Sequence, residues 1–321
     1  MQGGGYSKNP KTANNNDKKN LEGLDYAFFP IYPLLISIVN APIKNIEISA
    51  FILSNILLLL NFTSLYLVIK RLISERIALR ASILLFTFPF SIFYRSYFAE
   101  GLFFLVLVWF SYFFCKSRYI LAGFLIGIIN WVKGNAILIN AVFLYYIYEY
   151  LKNLAGRKKL RYLIPIFFIL APLFLWILYV YIQTGNPLYF INVRNQWVTN
   201  ELPLIRFFQN IMTILSFSNL NIHAFHSSKI DALNAVVVLA LLILSRNGLP
   251  KKLWWISFSL WLTPLMFSDL ISFSRHQTVS FPIFIYLSQV LNGLSYKIVL
   301  GLFIVGLFII SLFFVNWYWI G

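Results

Sequence analysis

The chain has 321 residues, of which 60% are hydrophobic and only 11% charged, with a mean hydropathy of +0.76. An ordinary soluble domain is about one-quarter charged, so this composition excludes a chain that solvates its own surface in water. The formal charge of +16 does not indicate nucleic acid either, because the basic residues sit in short loops between apolar runs and form no contiguous basic face.

In chain order, residues 1–25 are polar, rich in Gly, Asn and Lys, and carry no signal-peptide pattern. The stretch 26–40, YAFFPIYPLLISIVN, is apolar but short and holds two prolines, which suits a re-entrant or interfacial helix better than a span. Apolar runs long enough to cross a hydrocarbon core follow near 46–69, 79–94, 97–115, 119–133, 135–151, 162–182, 230–246, 253–268, 278–291 and 298–317. They lack the two-residue alternation of barrel strands, so they read as helices that satisfy their own backbone hydrogen bonds. The expected fold is all-α: a polytopic membrane bundle of about ten transmembrane helices plus the interfacial helix at 26–40, with 1–321 as one multi-pass domain.

Charge fixes the expected sidedness. Lys70, Arg71, Arg76 and Arg80, then Lys116 and Arg118, then Lys152 to Arg161, then Arg246, Lys251 and Lys252, then Lys297 all occupy loops that fall on one side if 26–40 does not cross. That is the positive-inside pattern, and anionic lipid headgroups would hold those loops at the cytoplasmic surface. The opposite side then carries residues 1–45, short turns near Arg95, Asn130 and Asp269, and the stretch 183–229, read as one large polar loop.

Ionisable groups at membrane depth are costly and mark function by default. Glu100 begins a helix after Arg95, where a carboxylate also serves the helix N-terminus. Lys133 lies in NWVKGN, where it either snorkels or receives a phosphate. Asp269 and Arg275 share the turn SDLISFSRH, where they either pair with each other or serve a ligand. Asp25 directly precedes FFPIYP. His223, His226 and His276 share no helix face at ligand spacing, and Cys115 is the sole cysteine, so no histidine or thiol metal site and no disulfide is expected. The sequon Asn61-Phe62-Thr63 falls inside a span, out of reach of glycosylation.

Five segments in order carry a resemblance: AFFPIYPLL at 27–35; Ser96-Tyr97-Phe98-Ala99-Glu100 with Leu102-Phe103; Ala122-Gly123 through Asn135; Gly185-Asn186-Pro187-Leu188-Tyr189-Phe190 with Gln196-Trp197; and Ser274-Arg275-His276 with Phe281-Pro282. Together they resemble the GPI mannosyltransferase 2 (PIG-V) family and its prokaryotic relatives, membrane glycosyltransferases of the GT-C superfamily. In that pattern Lys133 stands near a basic position and His276 replaces the usual tyrosine. The resemblance implies inverting transfer of mannose or a related hexose from a polyprenyl- or dolichyl-phosphate carrier to a lipid- or protein-linked glycan acceptor on the non-cytoplasmic face. The membrane would be the plasma membrane in a prokaryote and the endoplasmic reticulum in a eukaryote. It further implies that Lys133 and Arg275 hold the carrier phosphate, that Glu100 orients the acceptor or a divalent cation, and that Tyr32, Gln196 and Trp197 line the sugar pocket.

One part of the family pattern has no counterpart. Gly5-Tyr6 matches a Gly-Tyr pair that in the family follows a membrane helix and an acidic D-x-x-W-Y segment, which would lie before Met1. The expectation is therefore a truncated start or an inactive remnant, with Asp25 and Glu100 as the remaining carboxylate candidates for catalysis. A lipid-linked glycan transporter is the alternative from another class, although no internal repeat supports it.

Overall fold

A computed structural model describes Tyr26, residues 28–152, 163–194, 201–216 and 228–268, Leu270 and residues 272–316. Among these residues the chain is all-helical, as its apolar patterning predicts. α1 (Ile31–Ile43) starts after Pro30, contains Pro42 and stops at Lys44, whose backbone is left-handed at φ 56°. Its 13 residues rise roughly 20 Å, short of a hydrocarbon core of about 30 Å. α2 (Ile46–Leu72) is capped by the Asn45 side chain, which accepts from the Ile48 N–H, and carries Lys70 and Arg71 in its last turn. Both ends thus agree with the helix dipole.

α3 (Glu75–Thr87) is capped by Ser74, and a 3-10 turn at Pro89–Tyr94 follows it. The run expected as one span at 79–94 is therefore broken: proline at position 89 has no N–H for the ladder and ends the helix. α4 (Glu100–Cys115), α5 (Tyr119–Val132), α6 (Ile137–Lys152), α7 (Leu163–Thr184), α10 (Ser228–Ser245), α11 (Lys251–Phe267), α13 (Phe281–Val290) and α14 (Gly293–Val315) occupy the remaining apolar runs. The stretch 183–229 is not one polar loop: it contains α8 (Tyr189–Arg194) and α9 (Pro203–Ser216). The five-residue α12 (Phe273–Gln277) fills the turn before α13.

Among the described residues, three helices are long and apolar enough to cross a membrane: α2, α7 and α14. The other apolar runs form shorter helices, α4, α5 and α13 among them, because breaks at Pro89, at Gly134 and at 278–280 interrupt the helical path. α14 turns Leu302, Val305 and Phe308 outward, each more than half exposed, an apolar surface that water would not tolerate. The chain is a helical membrane protein by these features.

α4 forms the centre. Phe103, Phe104, Leu107, Val108, Phe110 and Phe114 are all buried in a core shared with α2, α3, α5, α6, α11 and α13. α5 and α7 approach closely through Gly123 and Gly127. A methyl group added at Gly123 would lie 2.6 Å from Pro165, and one at Gly127 would lie 2.5 Å from the Phe168 carbonyl. The Gly-x-x-x-Gly spacing therefore has a packing cause: only glycine lets these two backbones touch.

The basic loops gather at one end. Lys252 donates to the Phe114 carbonyl at 2.7 Å and sits 4.8 and 5.0 Å from the Phe114 and Tyr119 rings, joining the start of α11 to the end of α4. Arg80 donates to the Leu291 carbonyl and lies 4.3 Å over Tyr296, joining α3 to α14. The opposite end carries the start of α4, the end of α5 and α12.

Candidate functional site

Glu100 is the first residue of α4, where its carboxylate meets the positive end of the helix. Asn61 on α2 fixes that end by donating to the Gly101 carbonyl at 2.9 Å. Asn61 is fully buried, whereas Phe62 and Thr63 of the same sequon face outward. α5 ends as Lys133 turns extended (φ −160°, ψ 136°) while its N–H still reaches the Ile129 carbonyl. That swing sends its side chain back across the bundle to α4.

At one point four residues from three distant segments meet. Lys133 Nζ lies 2.5 Å from Glu100 Oε1, and Arg275 Nε lies 2.6 Å from the same oxygen. His276 Nδ1 is 3.2 Å from Lys133 Nζ. The Arg275 guanidinium also stacks 3.9 Å from the Phe98 ring centre and 5.4 Å from that of Phe93, a cation–π seat that holds its plane. Glu100 is 1% exposed, whereas the Lys133 and Arg275 side chains keep 20% and 16%. The carboxylate is the floor and the two cations form the opening.

α12 owes its position to neighbours on every side. The Ser274 N–H donates to Asp231 Oδ1 on α10 at 2.7 Å, and Asp231 is itself buried. The Tyr94 hydroxyl donates to the Thr278 carbonyl at 2.7 Å, and the Thr278 hydroxyl donates back to the Arg275 carbonyl at 2.7 Å. Gln277 Nε2 donates to the Leu260 carbonyl of α11 at 3.0 Å. Ser272 enters the helix left-handed at φ 65°, a conformation a non-glycine residue keeps only under such restraint.

Glu100 Oε2 and Tyr32 Oη are among the buried oxygens at this end that have no hydrogen-bond partner among the described residues. Burial, and then the Glu100 carboxylate, push the Tyr32 phenol up to about 12, so it remains a protonated donor at any working pH. A cleft of about 430 Å³ lies between the start of α1, the end of α5 and α7, lined by Pro30, Trp131, Leu175, Trp176 and Tyr179. The Trp131 N–H donates to the Pro172 carbonyl at 2.7 Å, so that donor is already used.

The structure brings together Glu100, Lys133 and Arg275, with Tyr32 close enough for its phenol to feel the Glu100 charge. Lys133 does not snorkel: its ammonium is spent on Glu100. Arg275 pairs with Glu100, while Asp269, Asp25, Gln196 and Trp197 lie outside the described residues. Among the described residues no three His, Cys, Asp or Glu side chains converge, and two cations already neutralise Glu100, so its carboxylate is a poor seat for a divalent ion. Asn61, which the sequence offers only as a sequon, and Tyr94 and Asp231, which it does not single out, are supporting residues. Asp231 was discoverable as the lone carboxylate inside SKIDALNAVVV.

The chemistry this arrangement allows is anion capture. Two cations presented at an opening, one of them a planar guanidinium, suit a phosphate. A carboxylate receiving two charge-assisted hydrogen bonds is a weak base, so Glu100 is better placed to orient than to deprotonate. Comparison of the chain with protein-family models, with curated proteins and with solved structures finds no match.

Proposed function

We propose that the chain is a GT-C-type membrane glycosyltransferase that crosses the bilayer about ten times and acts at the non-cytoplasmic face. It transfers mannose or a related hexose from a polyprenyl- or dolichyl-phosphate carrier to a glycan or glycolipid acceptor. The observation that carries this reading is the meeting of Glu100, Lys133 and Arg275 on one carboxylate oxygen. These three residues come from separate segments of the resemblance to the GPI mannosyltransferase 2 family, and no local sequence constraint forces them together. Tyr32, from a fourth such segment, lies buried nearby.

Lys133 and Arg275 bind the carrier phosphate. In the reaction the acceptor oxygen bonds to the anomeric carbon from the side opposite the phosphate. The bond from that carbon to the phosphate oxygen breaks, its electron pair stays on the phosphate, and the two cations stabilise the charge that develops there. Glu100 keeps both cations in place and offers Oε2 to a substrate hydroxyl, while Tyr32 donates to a second oxygen. The acceptor proton leaves to a carboxylate base, for which Asp25, directly before the FFPIYP segment, is the candidate.

The test is transfer in proteoliposomes from radiolabelled dolichyl-phosphate-mannose, and from a panel of polyprenyl-phosphate hexoses, into a lipid-linked acceptor extract. We expect transfer, and a fall of about 10²-fold or more for Lys133→Ala or Arg275→Ala, the scale of losing one transition-state charge donor. No transfer with any hexose donor, from protein that remains folded, would sink the enzyme reading. Passage of the lipid-linked sugar between leaflets without transfer would favour a transporter instead.

A further inference from the structure

α9 has its polarity inverted. Arg206, Asn210 and Ile214, four residues apart, are buried, and Asn210 Nδ2 donates to the Leu265 and Ser268 carbonyls at 3.0 and 3.1 Å. The opposite face carries Leu204, Ile205, Phe208, Met212 and Leu215, between 49% and 73% exposed. Gln209 and Ser216, both exposed, and the partly buried Thr213 occupy the strip between the two faces. A helix in water turns its polar residues out and its apolar ones in; this one buries Arg206 and Asn210 beside Ile214 and leaves five large apolar side chains outward.

Three further observations say what covers the apolar face. Asn210 pins α9 to the last turn of α11, at the end of the bundle away from the basic loops, which is the depth of a membrane interface. The face continues onto α10, which α9 packs against and which exposes Leu233, Val236 and Val237. Finally, Leu204, Ile205, Phe208, Met212 and Leu215 carry no charge or hydrogen-bonding group, which is what a face in hydrocarbon requires. We infer that α9 is an interfacial helix seated in the acyl chains of the non-cytoplasmic leaflet, with Gln209 and Thr213 marking its water line. The inference rests on the membrane topology proposed above. It also gives the seat a use. Ile214 and the first residue of α12, Phe273, belong to one buried cluster with α10 and α11, so the lipid-held α9 braces the support beneath Arg275.

The experiment uses the full chain with Cys115→Ala, reconstituted in phosphatidylcholine nanodiscs. A nitroxide is placed on single cysteines at Phe208, Met212, Leu215, Gln209 and, as a control on α14, Leu302. Collision with dissolved oxygen is compared with collision with a water-soluble nickel chelate. Labels at 208, 212 and 215 should favour oxygen severalfold over the label at 209 and match the label at 302. Nickel preference at 208 and 212 with oxygen preference at 302 would overturn the proposal and leave the topology standing. Nickel preference at 302 as well would overturn the topology and the seat together. Strong dipolar broadening at 208 that disappears when the labelled chain is diluted with unlabelled protein would also overturn it, in favour of a second copy of the chain.

Discussion

The two ends of the bundle hold lysine–carboxylate pairs of nearly equal length and opposite character. At the basic end Lys152 meets Glu149 at 2.8 Å and Lys70 meets Glu75 at 3.0 Å, with every partner's side chain at least 42% exposed. At the far end Lys133 meets Glu100 at 2.5 Å with the carboxylate 1% exposed and a second cation on the same oxygen. Distance does not separate these pairs; water does. Exposed pairs trade one solvated state for another and contribute little. A buried one has lost its hydration, so removing either partner strands the other. A protein that needed only stability would fill that space with hydrocarbon, which is why the buried cluster points to a ligand and the exposed pairs do not.

The sharpest way to break this comparison is Glu100→Gln, which strips the shared countercharge from two cations. We expect a loss of about 3–5 kcal/mol, read as thermal unfolding of the detergent-solubilised protein. Adding Lys133→Met to the same chain should restore part of that loss, because one of the stranded charges is gone. If Glu100→Gln unfolds at the wild-type temperature, the cluster is wetter than its burial indicates. The next effect in size tests the frame instead of the charges. Gly127→Leu forces a side chain against the Phe168 carbonyl and should cost about 1–3 kcal/mol through overpacking, measured by the same melt. The smallest effects belong to Glu75→Gln and Glu149→Gln, for which no resolvable shift is expected. A cost in either that rivals Glu100→Gln would mean exposure is not what distinguishes the two ends.

Much of the fold was legible because apolar runs and their breaks translate directly into helices. The runs near 46–69, 162–182 and 298–317 became α2, α7 and α14, within a few residues at most ends. Proline cost the reading at 79–94, where hydropathy continues past the point at which the backbone can stay α-helical. α9 escaped notice for a related reason: its apolar face looks outward, so no core pattern announced it, and its polar residues made 183–229 read as loop. At the site, sidedness placed Glu100, Lys133 and Arg275 on one face, but only the folded chain shows them on a single oxygen. The supporting roles of Asp231 and Asn61 were hidden because of what they bind. Their partners, Ser274 N–H and the Gly101 carbonyl, are backbone groups that a sequence does not display.

The contact of α5 with α7 at Gly123 and Gly127 has a bearing on how the site keeps its shape. A lysine has four rotatable carbons and ordinarily wanders over several ångströms. Here the root of that tether is set by two backbones in van der Waals contact, with no side chain between them to act as a cushion. Sliding α5 by a fraction of a turn would drive it into Pro165, so Lys133 can be displaced only by moving α7 and its aromatic cleft along with it. The ammonium and the walls of the cleft therefore shift together or not at all, and a mutation deep in the bilayer-facing seam could alter binding at a site it never touches.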